Sequence, residues 1–368
     1  MPVRKIKRIA ILTGGGDCPG LNAVIRAVAK TAKNDHQIEV IGVMDSYWGL
    51  VHEDFKVLHN HDVSGILAVG GTILGTSRVD PFKEAHRLGL LSSPKEDWDV
   101  VKRILKKHQI DAVVAVGGDG TLRVAARMAK AGIPVVGVPK TIDNDINETE
   151  VTFGFNSAVS IIMEALDRLH TTAMSHHRVM VVEVMGRTVG WLALHSAVAG
   201  GGDIILIPEI PYSEQVVFDR VLERSREGKR FSLVVVAEGA AARDTGQVYS
   251  GNVDPTGRKV LGGIGNTLAE RIEEATGLSA RVTQLGHLQR GGSPTSFDRL
   301  LATQFGHAAI QLLVTGEMGQ MPVWKGGRIK YTTLDKATNK IKKVPLDHPL
   351  IAAARSVGSV FGDEDQRK

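Results

Sequence analysis

The sequence predicts an α/β protein with a mostly parallel sheet in each of two domains. Short apolar runs alternate with amphipathic helices along most of the chain, which is the pattern of successive strand-helix units in a parallel sheet. Several of the apolar runs end in glycine-rich turns that lead directly into a helix. A chain of 368 residues is also too long for one small core.

Composition and charge narrow the classes of function. The formal net charge of +5 suits anionic small molecules but is weak evidence for a nucleic-acid partner, and we expect none. The single cysteine, Cys18, excludes an intramolecular disulfide and fits a reducing compartment, so we expect a cytoplasmic protein. No apolar run approaches the ~20 residues that span a membrane, and no membrane association is expected.

The first strand-helix unit contains a candidate phosphate site. A strand is expected over residues 6–12, a glycine-rich turn over 13–20 and a helix over 21–33. Glycines let backbone N–H groups approach an anion, and the helix dipole favours negative charge there. The spacing matches neither the dinucleotide fingerprint nor the P-loop, because no Gly-Lys-Ser/Thr closes the turn. The turn is therefore either a phosphate cradle or a plain connection between strand and helix.

A second glycine-rich turn, residues 70–78, follows the strand expected at 38–44 and ends in Arg78. Arginine suits phosphate as a bidentate donor, and the alternative is a surface arginine beside a loop. Residues 81–97 are polar and irregular, which predicts an exposed insertion before a short amphipathic helix at 98–107.

A third turn, Gly-Gly-Asp-Gly-Thr at residues 117–121, joins a strand expected at 112–116 to a helix at 122–130. Its carboxylate, Asp119, could hold Mg²⁺ that bridges phosphates, which is a usual arrangement for this ion. The alternative is a carboxylate that caps the N-terminus of the helix.

Two carboxylates follow the next buried strand. The apolar run at 133–137 leads into Lys140, Thr141, Asp143, Asn144 and Asp145. On an extended backbone, Asp143 and Asp145 point the same way and could reach one substrate or one metal ion. The alternative is a turn rich in Asp and Asn. Open α/β sheets bind ligands at the carboxyl ends of their strands, so the preceding loops favour a binding site over a simple turn.

The second half of the chain repeats the alternation of strands and helices without repeating the sequence. Strands are expected at 179–184, 203–207, 233–236 and 280–284, and a hairpin near 324–331. Helices are expected at 155–174, 190–198, 214–227, 266–276 and 298–315. Polar loop ends occur at 185–187, 238–239 and 285–294. The histidines His176, His177 and His287 lack the spacing of a zinc site.

Five motifs together resemble those of the 6-phosphofructokinase family. They occupy residues 15–22, 117–121, 141–145, 183–187 and 286–292, in the family's order. The resemblance implies two Rossmann-like three-layer α/β/α domains with the active site in the cleft between them. It implies a phosphoryl-donor domain of residues 1–154 plus about 286–340, and a sugar-phosphate domain of residues 155–285 plus the tail at about 341–368.

The resemblance also implies a reaction and a set of site residues. The reaction is Mg²⁺-dependent phosphoryl transfer to the 1-hydroxyl of fructose 6-phosphate, a step of glycolysis. By position, Asp143 resembles the family's general base, and Asp119 and Asp145 resemble its Mg²⁺-associated acids. Residues that match the donors steadying the transferring group are Thr141, Arg78 and Arg187. Residues that match the phosphoryl-donor site are Gly15, Gly16, Arg78, Gly118, Asp119, Gly120, Thr121 and Lys140. Residues that match the sugar-phosphate contacts are Thr141, Asp143, Arg178, Met185, Gly186, Arg187, Glu238, Arg281, His287 and Arg290.

The implied assembly is a homo-oligomer, a dimer or tetramer, because Arg178 and Arg281 match arginines that reach across from a neighbouring subunit. The residues that indicate the phosphoryl donor are of two types. Gly120 occupies a position where the pyrophosphate-using enzymes carry an aspartate that blocks a nucleotide, whereas Lys140 is the residue of the pyrophosphate-using enzymes. We predict ATP, because a small residue at 120 leaves room for the nucleotide, and pyrophosphate is the alternative.

A non-enzymatic sugar-phosphate or nucleotide sensor with two α/β lobes is the alternative from another class of protein. It accounts for the glycine-rich loops but not for the carboxylates placed beside them.

Overall fold

The computed structural model describes residues 6–77, 94–253 and 259–363. The chain divides into two compact units. The first comprises Met1–Ser157 and Arg290–Ile341, and the second comprises Ala158–Gln289 and Lys342–Lys368.

The strands, numbered along the described residues, are β1 Arg8–Gly14, β2 Glu39–Val43, β3 Phe55–Val57, β4 Ala112–Gly117, β5 Val135–Thr141, β6 Phe153–Gly154, β7 Val179–Val184, β8 Ile204–Leu206, β9 Ser232–Ala237, β10 Ala241–Ala242, β11 Gly246–Gln247, β12 Tyr249–Val253, β13 Lys259–Leu261, β14 Ala280–Gln284, β15 Gln320–Trp324 and β16 Ile329–Thr333. The helices are α1 Leu21–His36, α2 Tyr47–His52, α3 Pro94–Lys107, α4 Asp119–Lys130, α5 Phe155–His176, α6 Trp191–Ala199, α7 Glu214–Arg226, α8 Ile264–Thr276, α9 Ser296–Thr315, α10 Leu334–Thr338 and α11 Pro349–Ser356.

The first unit is built on a sheet of order β3-β2-β1-β4-β5-β6, parallel except for β3. Strands β1, β4 and β5 are almost completely buried and rich in Val, Ile and Ala, as expected of a parallel sheet covered on both faces. The chain runs outward from β1 to β3 and then returns to place β4 on the other side of β1. The carboxyl ends of β1 and β4 therefore form a topological switch point, where such sheets bind ligands.

Helices α1 and α9 pack closely in this unit because Gly306 of α9 lies against α1. A Cβ atom at Gly306 would lie 2.7 Å from the Cβ of Ala27 and 3.0 Å from the carbonyl oxygen of Val24. Helix α9 begins with Thr295 accepting a hydrogen bond from the Asp298 N–H. The buried Asp298 carboxylate accepts the Ser157 N–H at 2.8 Å and its hydroxyl at 2.6 Å. This carboxylate thereby joins the start of α9 to the start of α5.

The second unit is built on a fully parallel sheet of order β14-β7-β9-β8. The buried carboxylate of Glu183 in β7 accepts the Gly263 N–H at 3.1 Å, the Gly265 N–H at 2.8 Å and the Gln284 Nε2–H at 2.9 Å. It thereby ties β7 to β14 and to the N-terminus of α8. Small antiparallel pairs, β10-β11 and β12-β13, follow β9.

The predicted fold class, α/β with two mostly parallel sheets, is confirmed. Strands β7 and β14 have the expected bounds, and the predicted hairpin corresponds to β15 and β16. Among the described residues, no helix has the length and apolar character needed to cross a membrane.

Two local predictions were wrong. Helix α3 begins at Pro94 rather than at residue 98, because the fixed φ of proline suits the first position of a helix. The backbone is also not extended from Thr141 to Asp145. Strand β5 ends at Thr141, and Asn144 adopts φ 53°, a left-handed conformation that asparagine tolerates. Residues 81–93 of the expected insertion lie outside the described residues.

Candidate active site

The loops that follow β1 and β4 meet at the side chain of Thr121. A Cβ atom at Gly14 would lie 2.6 Å from the Thr121 Oγ1 atom, and one at Gly117 would lie 2.5 Å from it. Real Cβ atoms do not approach so closely, so only glycine fits at either position. The Thr121 carbonyl oxygen accepts a hydrogen bond from the Tyr47 hydroxyl at 2.9 Å, which fixes the first turn of α4. The predicted donor-site residues of these two loops are thus brought together.

The carbonyl groups of Gly15, Gly16 and Asp17 each accept a hydrogen bond from a side chain. Thr76 Oγ1 donates to the Gly15 oxygen at 2.7 Å, Lys140 Nζ donates to the Gly16 oxygen, and Arg290 Nη1 donates to the Asp17 oxygen at 3.1 Å. The loop after β1 is therefore held from three separate segments of the first unit.

Asp119 is the first residue of α4 and does not cap it. The residue before the helix is Gly118, with no side-chain cap, and Asp119 Oδ2 pairs with Arg123 Nη2 at 2.9 Å. The capping alternative for Asp119 is therefore wrong. The next residue, Gly120, faces open space, because a Cβ atom there would meet no other atom within 4 Å.

The turn after β5 holds Asp143 in a buried position. Thr141 Oγ1 accepts the Asp143 N–H at 3.0 Å, and Asn144 Oδ1 accepts the Thr152 N–H at 3.2 Å. The Thr152 hydroxyl donates to the Thr141 carbonyl oxygen at 2.8 Å. The turn expected as an alternative to a site is therefore present, and it is what positions the carboxylate of Asp143. Thr152 was missed by the sequence analysis, because no motif marks a threonine that acts eleven positions away.

The carboxylate of Asp143 has an unsatisfied oxygen. Asp143 is only 6% exposed, and within the described part of the chain its Oδ1 atom is buried without a hydrogen-bond partner. A buried carboxylate oxygen without a partner is costly, and most buried polar atoms of folded proteins have a hydrogen-bond partner. The geometry therefore fits a carboxylate that receives its partner, such as a hydroxyl group, from a ligand.

Charge in this region is unusual for a protein interior. Burial lowers the pKa of the Lys140 ammonium, and Arg290 lowers it further, whereas Cys18, Asp143 and Asp17 act in the opposite direction. Burial raises the pKa of the Cys18 thiol to about 12, so Cys18 is not a reactive thiolate in the folded protein. Lys140 and Arg290 both bond to the loop that follows β1, and basic side chains suit a phosphate-bearing ligand.

A protein-only metal cage is absent from the described residues, where no group of three or more His, Cys, Asp or Glu side chains could hold a metal ion. This donor set still fits Mg²⁺, which is usually bound by one or two carboxylates, water and substrate phosphates. Asp119 opens the helix that follows β4, and Asp145 lies in the turn that follows β5.

In the second unit, four predicted residues are brought together at the carboxyl end of β7. The Met185 N–H donates to Gln289 Oε1 at 3.1 Å, and the Arg187 N–H donates to Glu238 Oε1 at 2.9 Å. Arg187 has φ 55° and Gly186 has φ 137°, so the loop turns sharply and leaves the Arg187 side chain exposed. A Cβ atom at Gly239 would overlap the Arg187 carbonyl oxygen, which is why a glycine follows Glu238.

Arg178 and Arg281 lie at the amino ends of the strands of the same sheet, opposite the loop that follows β7. Arg178 directly precedes β7, and Arg281 pairs in register with Met180 near the start of β7. Arg281 also forms an ion pair with Glu273 at 2.9 Å. Within one chain the structure therefore does not bring these two arginines to the loop that follows β7.

The remaining predicted residues are distributed as follows. His287 is exposed on the short 3-10 helix Gly286–Arg290, and Arg290 is buried in the first unit beside Asp17. Arg78 lies outside the described residues.

Comparison with known proteins gives a consistent result. The family model described as Phosphofructokinase matches residues 8–313. The chain is 48% identical to the ATP-dependent 6-phosphofructokinase of Spirochaeta thermophila, over 97% of this chain and 98% of that protein. It is 47% identical to ATP-dependent 6-phosphofructokinase 2 of Clostridium perfringens, over 98% of this chain and 100% of that protein.

Solved structures are similar as well. Phosphofructokinase from Saccharomyces cerevisiae matches with a TM-score of 0.77 and 31% identity, over 90% of this chain and 45% of the yeast chain. The pyrophosphate-dependent phosphofructokinase of Marinobacter aquaeolei matches with a TM-score of 0.79 and 23% identity, over 93% of this chain and 86% of that chain, which shows a shared fold.

Proposed function

The chain belongs to the phosphofructokinase family, and we propose that it transfers a phosphoryl group from ATP to the 1-hydroxyl of fructose 6-phosphate. The products would be ADP and fructose 1,6-bisphosphate, a step of glycolysis, and the cytoplasm is the proposed location of the enzyme. The proposal draws on near-full-length relatives that are named ATP-dependent 6-phosphofructokinases. The observation that supports it most directly is the buried, unpartnered oxygen of Asp143 beside the glycine-rich loops.

Asp143 is proposed as the general base. Its carboxylate takes the proton of the sugar 1-hydroxyl. The 1-oxygen of the sugar forms a bond to the γ-phosphorus of ATP as the bond between that phosphorus and ADP breaks. Thr141 sits at the start of the same turn and steadies the transferring group together with Arg187 and Arg78. Phosphoryl transfer depends mainly on positioning and charge stabilisation, with general-base help of about 10²–10⁴-fold.

Mg²⁺ is the proposed cofactor, and Asp119 and Asp145 are the side chains that would hold it. When bound, the ion would neutralise charge on the donor phosphates. The remaining donor contacts are assigned to the first unit, through Gly15, Gly16 and the residues 118–121.

ATP is the proposed donor because of Gly120. The open space beside its Cα leaves room for a nucleotide, whereas a side chain there would occupy that space. Pyrophosphate is the second candidate, and Lys140 is the observation in its favour, because its ammonium lies beside the Gly15-Gly16 loop.

The second unit is proposed to bind the sugar phosphate through the loop 185–187, Glu238 and His287. Arg290 of the first unit is assigned to the same substrate. Arg178 and Arg281 lie at the amino ends of the strands of their sheet, away from the loop 185–187. They can therefore contribute to an active site only as residues of a neighbouring subunit. This supports a homo-oligomer, a dimer or tetramer, in which each active site is completed by a second copy of the chain.

Initial rates with fructose 6-phosphate and Mg²⁺ test the proposal, with ATP and pyrophosphate compared at equal concentrations. We expect kcat/KM to be at least about tenfold higher with ATP. A higher kcat/KM with pyrophosphate would reassign the donor. Tight binding of fructose 6-phosphate without turnover from either donor would instead support the sensor alternative.

A further inference from the structure

The loop that follows β1 is held by a three-point clamp, defined here as Thr76, Lys140 and Arg290. Each of these side chains donates to one of three consecutive carbonyl groups, those of residues 15, 16 and 17. We propose that Lys140 is a positioning residue that fixes the donor loop by holding the Gly16 carbonyl, and does not act only as a phosphate ligand. This inference rests on the proposed function.

Burial supports this role for the two cations of the clamp. Lys140 is 3% exposed and Arg290 is 8% exposed, so both have lost most of their water. A buried charge needs hydrogen-bond partners, and a carbonyl oxygen is a partner for an ammonium or a guanidinium. Removing either cation would leave a loop carbonyl without its partner, and that loss favours opening of the loop.

The direction of the carbonyl groups matters for a loop that binds an anion. A carbonyl oxygen is the negative end of the peptide dipole and would repel a phosphate placed against it. The clamp engages three consecutive carbonyl oxygens with donors from the protein, two of them positively charged. The loop is therefore set up for a polyanionic donor before that donor binds, whether the donor is ATP or pyrophosphate.

Cys18 is a natural reporter of this loop. It is the only cysteine of the chain, directly follows Asp17 and is fully buried. Its Sγ atom faces the Phe153 carbonyl oxygen at 3.8 Å, and a Cβ atom at Gly154 would overlap it. Because Cys18 is fully buried, a thiol reagent reaches it only when this part of the fold opens, so the rate of Cys18 modification measures that opening.

The test is the rate of modification of Cys18 by a disulfide reagent in the full-length protein without ligands. The substitution Lys140→Met removes the clamp donor, and Lys106→Met makes the same change at an exposed lysine of α3. We expect Lys140→Met to speed the modification by about tenfold or more, because a hydrogen bond to a charged group is lost. Arg290→Met and Thr76→Val should also speed it, which keeps the proposal testable if one variant does not fold.

Global unfolding would also expose Cys18, so the rates are compared at several urea concentrations below the unfolding transition. Local opening gives a rate that hardly depends on urea, whereas global unfolding gives a steep dependence. We expect a weak dependence for Lys140→Met. A steep dependence, or a rate within about twofold of Lys106→Met, would overturn the clamp.

Donor kinetics separate this proposal from the proposed function. In an active enzyme, Lys140→Met should raise the KM for ATP by about tenfold and change the KM for fructose 6-phosphate much less. A raised KM for ATP with unchanged Cys18 reactivity would mean direct contact with the donor and would overturn the clamp. Faster Cys18 modification in a protein that turns over neither donor would support the clamp and remove the proposed function.

Discussion

The hydroxyl of Thr152 donates a hydrogen bond to the backbone carbonyl of Thr141 at 2.8 Å, closing the turn that contains Asp143. Thr152 is fully buried, so Thr152→Val would remove this hydrogen bond at a site that water does not reach. We expect the free energy of unfolding in urea to fall by about 1–3 kcal/mol and kcat to fall with it. The control is Thr315→Val, at an exposed helix position, which should change stability by less than about 0.5 kcal/mol. Equal effects of the two variants would contradict a special role for the Thr152 hydroxyl.

Under the proposed function, Gly120 controls the choice of phosphoryl donor. Its Cα faces open space, so Gly120→Asp should fold normally and place a carboxylate where the nucleotide would lie. We expect the KM for ATP to rise by about tenfold or more, because like charges repel, while turnover with pyrophosphate falls less or improves. Thermal melting checks that the fold is kept. An unchanged KM for ATP would show that the nucleotide does not pass position 120.

Asp119 is expected to set the Mg²⁺ requirement. The matched control is Arg123→Gln, which breaks the ion pair with Asp119 but keeps the carboxylate. We expect Asp119→Asn to raise the Mg²⁺ concentration for half-maximal activity by about 10-fold or more and Arg123→Gln to leave it nearly unchanged. Chelation of Mg²⁺ should abolish turnover of both proteins. A similar Mg²⁺ dependence for the two variants would remove Asp119 from the metal site.

His195 of α6 should make the protein sensitive to acid. The pKa of His195 is lowered from 6.5 to about 4, mainly by burial and to a smaller extent by the neighbouring His348 and Lys342. A base whose pKa is depressed by folding favours the folded state above its unfolded pKa, and this stability is lost as the pH falls from 6.5 towards 4.

Urea denaturation at several pH values measures this loss. Between about pH 7 and pH 4.5, the wild-type protein should lose about 1–3 kcal/mol more stability than His195→Gln does. The control is His307→Gln, at an exposed position of α9, which should follow the wild-type protein. A parallel fall in stability of all three proteins would place the acid sensitivity elsewhere.

The fold class could be predicted because the apolar runs, the amphipathic helices and the glycine-rich turns of the sequence all agree with it. Apolar runs such as 179–184 are long, β-branched and bounded by turns, so their type and bounds follow from pattern alone. The family resemblance is confirmed by the family model that matches residues 8–313, and it could be recognised from sequence because its motifs are long and occur in one order.

The local errors have a physical cause. The turn at 142–145 depends on the positive φ of Asn144 and on a hydrogen bond from Thr152, and neither leaves a periodic signal. Contacts between distant segments, such as Lys140 with Gly16, are set by tertiary packing and not by spacing. The roles of the site residues remain predictions that the experiments above address.

The most direct test of the account is the Asp143→Asn variant, assayed with ATP, Mg²⁺ and fructose 6-phosphate. The substitution keeps the size of the side chain but removes its basicity. We predict that kcat falls by about 10²–10⁴-fold while the dissociation constant of fructose 6-phosphate changes by less than about threefold. A kcat within about threefold of the wild-type value, with binding unchanged, would contradict the assignment of Asp143 as the base.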